Sequence, residues 1–216
     1  MHKYKSEFIE FMISSGVLTF GDFVTKSGRR TPYFINTGNY RTGAQLYRLG
    51  KYYAECIMRS IGGEFDVLFG PAYKGIPIAV ATATALYSDF GLDREFCFNR
   101  KEVKDHGEGG ALVGAKLHDG DRVVYVEDVI TAGTSIRETL PLLKSAANVN
   151  VEHIIVSVDR MERGYSGKTA SEEIRDEFGI ELHSIVTVRE IIEYLRSNGG
   201  DPEHIARMEA YLEQYC

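Results

Sequence analysis

The sequence predicts an α/β fold: a mostly parallel sheet flanked by helices, with an extra piece in front. Three observations predict it. Short apolar runs with β propensity each end in a polar or Gly/Pro-rich loop, segments of helical periodicity follow those loops, and a turn-rich stretch precedes the first such unit. At 216 residues the chain can bury one α/β core without dividing into several domains.

Taken in order, Ser6 to Ser14 reads as a short helix, and the stretch from there to Asn39 offers only short strands. Gln45 to Ile61 carries apolar residues at helical spacing over a long helix. Phe65 to Phe69 is a strand, Ile76 to Tyr87 a helix, and Glu95 to Asn99 a strand leading into a polar segment. Arg122 to Val126 and Ile154 to Val158 are further strands, separated by a helix that starts near Ser135. Asp201-Pro202 caps a final helix in which Ile205, Met208 and Leu212 serve packing. Strands alternating with helices imply a parallel sheet whose ligands bind at its carboxyl edge.

Composition excludes several classes. Acidic residues number 31 against 25 basic, a formal charge of −6, which argues against generic nucleic-acid binding. Cys56, Cys97 and Cys216 lack metal-ligand spacing and, without a signal peptide, fit a reducing cytoplasm; Cys56 reads as helix packing. The apolar run around Ile76 to Leu86 is too short for a membrane span. Neither Gly-x-x-x-x-Gly-Lys nor Gly-x-Gly-x-x-Gly occurs, so ATPase and dinucleotide-dehydrogenase readings lose their usual support.

The most informative run is Val123-Val124-Tyr125-Val126-Glu127-Asp128-Val129-Ile130-Thr131-Ala132-Gly133-Thr134-Ser135, an apolar strand that delivers two carboxylates into a turn of small hydroxyl-bearing residues. Ser135 to Glu138 has capping-box spacing, which predicts a helix start whose unpaired N–H groups favour an anion. Gly133 tightens the turn, Ala132 leaves backbone accessible, Thr131, Thr134 and Ser135 supply hydroxyl donors, and Glu127 and Asp128 accept from a diol. On these residues alone, a solvated turn with an ordinary helix cap is an equal reading.

A second strand-loop-helix unit, Phe65 to Gly75, should open on the same edge. Lys74 there can face a diphosphate, and Gly70 and Gly75 allow close backbone approach; a plain strand terminator is the alternative. Arg100 to Gly110, with Lys101, Lys104 and His106, lacks an apolar face and suits either a closing lid or a charged hairpin. His106 has a pKa range that permits acid/base work. In the third loop, Asp159 to Gly164, Arg160 can pair with a carboxylate or phosphate. Lys26, Tyr33, Phe34 and Ile35 can line a slot for a planar ring, or Tyr33 and Phe34 can be core.

Glu127 to Ser135 resembles the donor signature of type I phosphoribosyltransferases. Together with Phe69 to Gly75, Arg100 to Gly107, Asp159 to Gly164 and the front element Thr25 to Asn36, it narrows the resemblance to the branch that takes orotate. The resemblance implies a doubly wound core with a small N-terminal hood formed largely by residues 1–40. It implies Mg²⁺-dependent transfer of phosphoribosyl from phosphoribosyl diphosphate to orotate, with Mg²⁺ bound mainly through the donor and water. Glu127 and Asp128 are then expected at the ribose hydroxyls, with Val129 and Ile130 following. Thr131, Ala132, Gly133, Thr134 and Ser135 are expected around the 5'-phosphate. Tyr73 and Lys74, beside a non-proline cis peptide at Ala72-Tyr73, are expected at the diphosphate.

Lys26, Phe34, Ile35 and Arg160 are expected on the orotate side. Arg100, Lys104 and His106 are expected in a closing arm that reaches the neighbouring subunit of a homodimer, with Lys101 acting in its own subunit. The catalytic set implied is Lys104, His106, Asp128 and Arg100. Purine or uracil transfer, or noncatalytic nucleotide sensing on the same fold, are the competing readings. Two departures stand out: Pro141 tends to kink or end the helix after the donor loop, and Glu127 replaces an aspartate.

Overall fold

The computed structural model describes residues 1–25, 28–102, 110–130, 133–164 and 166–216. Helix α1 (Lys3–Ser14) leads into an antiparallel pair, β1 (Leu18–Val24) and β2 (Arg30–Ile35), whose register shifts between Phe20 and Phe23. After a 3-10 turn at Thr37–Asn39 comes α2 (Gly43–Ser60), opened by a capping box in which Thr42 and Gln45 satisfy each other's backbone N–H. Then follow β3 (Val67–Phe69), α3 (Gly75–Phe90), β4 (Glu95–Asn99), β5 (Leu112–Gly114), β6 (Arg122–Ile130), α4 (Thr134–Ala146) and β7 (Asn150–Asp159). The chain finishes with α5 (Ala170–Phe178), β8 (Glu181–Thr187), α6 (Val188–Ser197) and α7 (Pro202–Tyr215).

The main sheet runs β5-β4-β3-β6-β7-β8, parallel throughout except for β5, which returns antiparallel to β4. Strand periodicity divides the core in two. Leu68, Val124, Val126, Ile155 and Ile185 face α1, α2, α3, α6 and α7, whereas Phe69, Tyr125, Ile154 and Val156 face α4 and α5. Burial on both faces explains why β6 and β7 read as continuous apolar runs. Among the described residues, no helix is long and apolar enough to cross a membrane.

The N-terminal hairpin rests on the C-terminal helix: Tyr33 is buried edge-on against Tyr211 with ring centroids 5.8 Å apart, and Phe20 stacks on His204. Of the two aromatic residues that sequence left between slot and core, Tyr33 is core, while Phe34 is exposed and stacks on Phe23.

Three expectations change. Strand β6 does not stop at Val126. Pairing of Glu127 with Val156, Val129 with Val158 and Ile130 with Asp159 carries it on, so both acids sit within the strand rather than in a turn. Ser135 does not cap α4. Gly133, at φ +65°, occupies that position without a side-chain cap, and Ser135 lies one residue inside the helix with its hydroxyl turned elsewhere. Pro141 does not end α4, which continues to Ala146 because Leu140 and Leu143 are buried against the sheet on either side of it.

Candidate active site

The carboxyl ends of β3, β6 and β7 converge on one edge. At β3, Gly70 N–H donates to the carbonyl of Cys97, and a side chain at Gly70 would put its Cβ 2.1 Å from the carbonyl oxygen of Gly75. Only glycine lets this loop fold back so tightly. The buried Asn99 side chain accepts from Ala72 N–H at 2.8 Å, fixing the segment that contains the cis Ala72-Tyr73 peptide. Tyr73 is exposed, and Lys74 places Nζ 2.8 Å from Asp128 Oδ2.

Because neighbours on a strand point to opposite faces, Glu127 and Asp128 diverge. Asp128 faces the hairpin side, where its Oδ2 also accepts from Thr37 Oγ1 at 2.6 Å. Glu127 faces α4, accepting from Ser135 Oγ at 2.5 Å, the length of a charge-assisted O–H···O bond. The strand backbone between them is held by side chains on other elements: Tyr53 Oη donates to the Glu127 carbonyl at 2.6 Å and Ser157 Oγ to the Asp128 carbonyl at 2.5 Å. Burial pushes the Glu127 carboxyl up to about 7. The Asp128 charge adds to the rise, and the Ser135 hydroxyl, Lys74 and Lys101 oppose it.

At the end of β7, Asp159 pairs in register with Ile130, so Arg160 leaves the sheet beside the end of β6. Arg160 is buried, lies over the Tyr33 ring with its guanidinium carbon 4.7 Å from the centroid, and gives both Nε and Nη2 to Glu162 Oε1. Glu162 also accepts from Tyr211 Oη at 2.7 Å and from Arg29 at 3.2 Å. The end of β7 therefore carries a two-arginine, one-carboxylate cluster walled by tyrosines.

A model of the phosphoribosyl transferase domain matches residues 36–181. An orotate phosphoribosyltransferase of Clostridium acetobutylicum is 62% identical over 100% of this chain and 99% of its own length, and that of Clostridium beijerinckii is 59% identical over the same shares. The chain belongs to the orotate phosphoribosyltransferase family. A crystal structure of the orotate phosphoribosyltransferase of Francisella tularensis superposes with a TM-score of 0.86 at 38% identity, covering 97% of this chain and 98% of that one.

Of the site residues expected in this orotate phosphoribosyltransferase-family chain, Lys74 and Asp128 meet directly, and Glu127 meets Ser135. Gly133 and Thr134 open α4 beside them, and exposed Lys101 acts on the Glu127 charge. Ile130 is buried, packing beneath the edge, while Val129 is half-buried. Phe34 and Ile35 lie on β2, the strand whose Tyr33 ring Arg160 covers. Arg100 closes the β4–β5 hairpin, its N–H donating to the carbonyl of Ala111 at 2.8 Å. Lys26, Lys104, His106, Thr131 and Ala132 lie outside the described residues.

Sequence reading missed Thr37, Arg29, Glu162 and Tyr211. Arg160-Met161-Glu162 is a two-residue carboxylate-arginine spacing that a search for counter-charges finds; Thr37, Arg29 and Tyr211 are joined to the site only by folding. A cleft of about 340 Å³, lined by Thr37, Arg41, Thr42, Lys74 and Ile78 among others, opens on the hairpin side of Lys74.

Proposed function

We propose that this chain transfers the 5-phosphoribosyl group of phosphoribosyl diphosphate to orotate, giving orotidine 5'-phosphate and diphosphate. The bond from the anomeric carbon to the diphosphate oxygen breaks, and a bond to a ring nitrogen of orotate forms. One observation carries the reading: Lys74, on the β3–α3 loop, meets Asp128, on β6, at 2.8 Å beside the uncapped start of α4. A cation for the departing diphosphate, a carboxylate for the ribose and free helix N–H groups for the 5'-phosphate thus share one edge.

In this reading Glu127 and Asp128 accept from the ribose hydroxyls, and residues 131–135 cradle the 5'-phosphate. Lys74 with Tyr73 holds the diphosphate, joined by Arg100, Lys101, Lys104 and His106 from the arm. Arg160, kept in place by Glu162, takes the orotate carboxylate beside Phe34, Ile35 and Lys26. As the anomeric carbon becomes oxocarbenium-like, fixed cations stabilise the charge gathering on the leaving group. The carboxylate oxygens of Glu127 and Asp128 are hard donors that suit Mg²⁺ held largely by the donor and water. Bound there, Mg²⁺ compensates diphosphate charge.

The whole chain acts as one phosphoribosyltransferase domain, with residues 1–40 making most of a hood. It works as a homodimer with shared sites, a reading supported by the exposed Tyr47, Val80 and Tyr87 on the packed helices α2 and α3. Three free thiols accord with a cytoplasmic setting.

Incubation with Mg²⁺, phosphoribosyl diphosphate and orotate tests the activity. Loss of orotate's ultraviolet absorbance with nucleotide formation is expected, and in competition among free bases orotate is expected to be consumed ahead of uracil and purines. No turnover at saturating substrates across pH overturns the reading.

A further inference from the structure

The sheet's opposite edge carries a cluster that the transferase reaction does not use. His153 lies near the start of β7, and Glu181 and His183 lie on the edge strand β8. His153 pairs in register with Glu181, and Ile155 with His183. Residues two apart on a strand share a face, so all three side chains project from the same side of the sheet. His183 Nε2 lies 3.2 Å from His153 Nδ1 and 3.8 Å from Glu181 Oε2, and the three ligand atoms all fall within 4.8 Å of one another.

We propose that His153, Glu181 and His183 form a binding site for a zinc-class divalent ion that clamps β8 to β7. Tetrahedral zinc with bonds of about 2.0–2.1 Å holds its donor atoms about 3.3 Å apart. The two imidazole nitrogens already have that separation, and a small rotation of the exposed Glu181 side chain brings its oxygen to match. The rings are tilted by 52° with centroids 5.2 Å apart, so they present nitrogens to a common point instead of stacking.

Without metal, one ring must donate an N–H to the lone pair of the other. With metal, both lone pairs turn to the ion and each proton moves to the far nitrogen.

Two imidazoles and one carboxylate favour zinc, nickel or copper over magnesium, so the ion differs in class from the one the transfer reaction uses. Asp159 lies six residue steps along β7 from His153, about 20 Å, so the site acts on the fold and not on the reacting atoms. Among the described residues edge strand β8 pairs with β7 alone, so a cross-strand clamp adds to a single ladder.

The test uses full-length, untagged protein stripped with chelator and titrated with ZnCl₂, read by calorimetry and by Tm. One equivalent is expected to bind with a Kd of about 10 µM or tighter and to raise Tm, with MgCl₂ at equal concentration giving no such rise. His183→Ala and His153→Ala are expected to weaken zinc binding at least tenfold. Should either fail to fold, Glu181→Gln, at an exposed side chain, is expected to show the same direction of loss. Wild-type protein that binds no zinc below about 100 µM, or folded variants that bind like wild type, would overturn the assignment.

Discussion

Glu162 takes both the Nε and the Nη2 of Arg160 on a single oxygen, at 2.8 and 2.5 Å, while Tyr211 donates to that same atom at 2.7 Å. Its other oxygen accepts from Arg29 at 3.2 Å. Among these described residues two guanidinium groups face one carboxylate, an excess of one positive charge that suits the orotate carboxylate in the proposed reaction. Glu162 thus orients the arginine without cancelling the site. Glu162→Gln keeps the shape and removes the charge. The orotate KM is expected to rise about tenfold with kcat within a fewfold, and stability to fall by about 1–3 kcal/mol as the buried charge-assisted bonds weaken. Steady-state kinetics with orotate varied, alongside denaturant unfolding, checks both; an unchanged KM removes Glu162 from the acceptor side.

The Lys74–Asp128 pair predicts a different split. Lys74 is 60% exposed and its partner 13%, so solvent screens the pair and it contributes less than about 1 kcal/mol to folding. In the proposed reaction its worth is functional: the ammonium that rests on Asp128 turns to the more highly charged diphosphate. Lys74→Ala is expected to lower kcat by about a hundredfold while moving Tm by no more than a few degrees. A large Tm loss with normal kcat would reassign the pair to structure.

Glu127 sets a pH dependence. Its carboxyl stands near 7 in the fold, chiefly through burial, against 4.5 in the unfolded chain. Between those values the native state holds the extra proton. This contribution to stability is complete below about pH 4.5 and is lost as pH rises through 7. Over that window it amounts to about 3 kcal/mol. Glu127→Gln should flatten the fall in unfolding free energy between pH 5 and 7.5, measured by urea denaturation at fixed ionic strength. A slope equal to wild type would show that another group titrates there.

How far sequence reading reached follows from these same residues. Alternating apolar runs with helical segments mark β3, β6 and β7 because strands buried on both faces have no polar alternation to confuse them, and the aromatic Phe96 and Phe98 mark β4. Edge strand β8 escaped notice: Glu181, His183 and Ser184 interrupt its apolar pattern, and only Ile185 and Val186 are fully buried. Glu127 and Asp128 were placed in a turn because acidic residues deplete strands, yet the ladder to β7 outweighs that preference. Their opposite orientations follow from the two-residue period once the strand is extended. The partners Thr37, Arg29 and Tyr211 come from distant segments, and spacing along a chain holds no signal for them.

The proposed shared-site homodimer makes the most discriminating prediction. Arg100 N–H donates to the Ala111 carbonyl where β4 meets the edge strand β5 at the margin of the sheet, whereas Asp128 sits on β6, two strands inward from β4. Chain length lets a point midway between residues 100 and 111 reach about 17 Å from that margin, enough to cross to a neighbouring subunit. Lys104→Ala and Asp128→Asn homodimers should each be nearly inactive. If Lys104 serves the partner's site, random exchange of the two variants makes half the dimers mixed, and each mixed dimer has one site with both residues intact. Activity should then return to about a quarter of wild type. If Lys104 serves its own subunit, each site in a mixed dimer keeps one lesion and activity stays at the level of the parents. Native mass spectrometry of the mixture verifies exchange, so a flat result with mixed dimers present would rule out sharing, and a chain that remains monomeric would rule out the dimer itself.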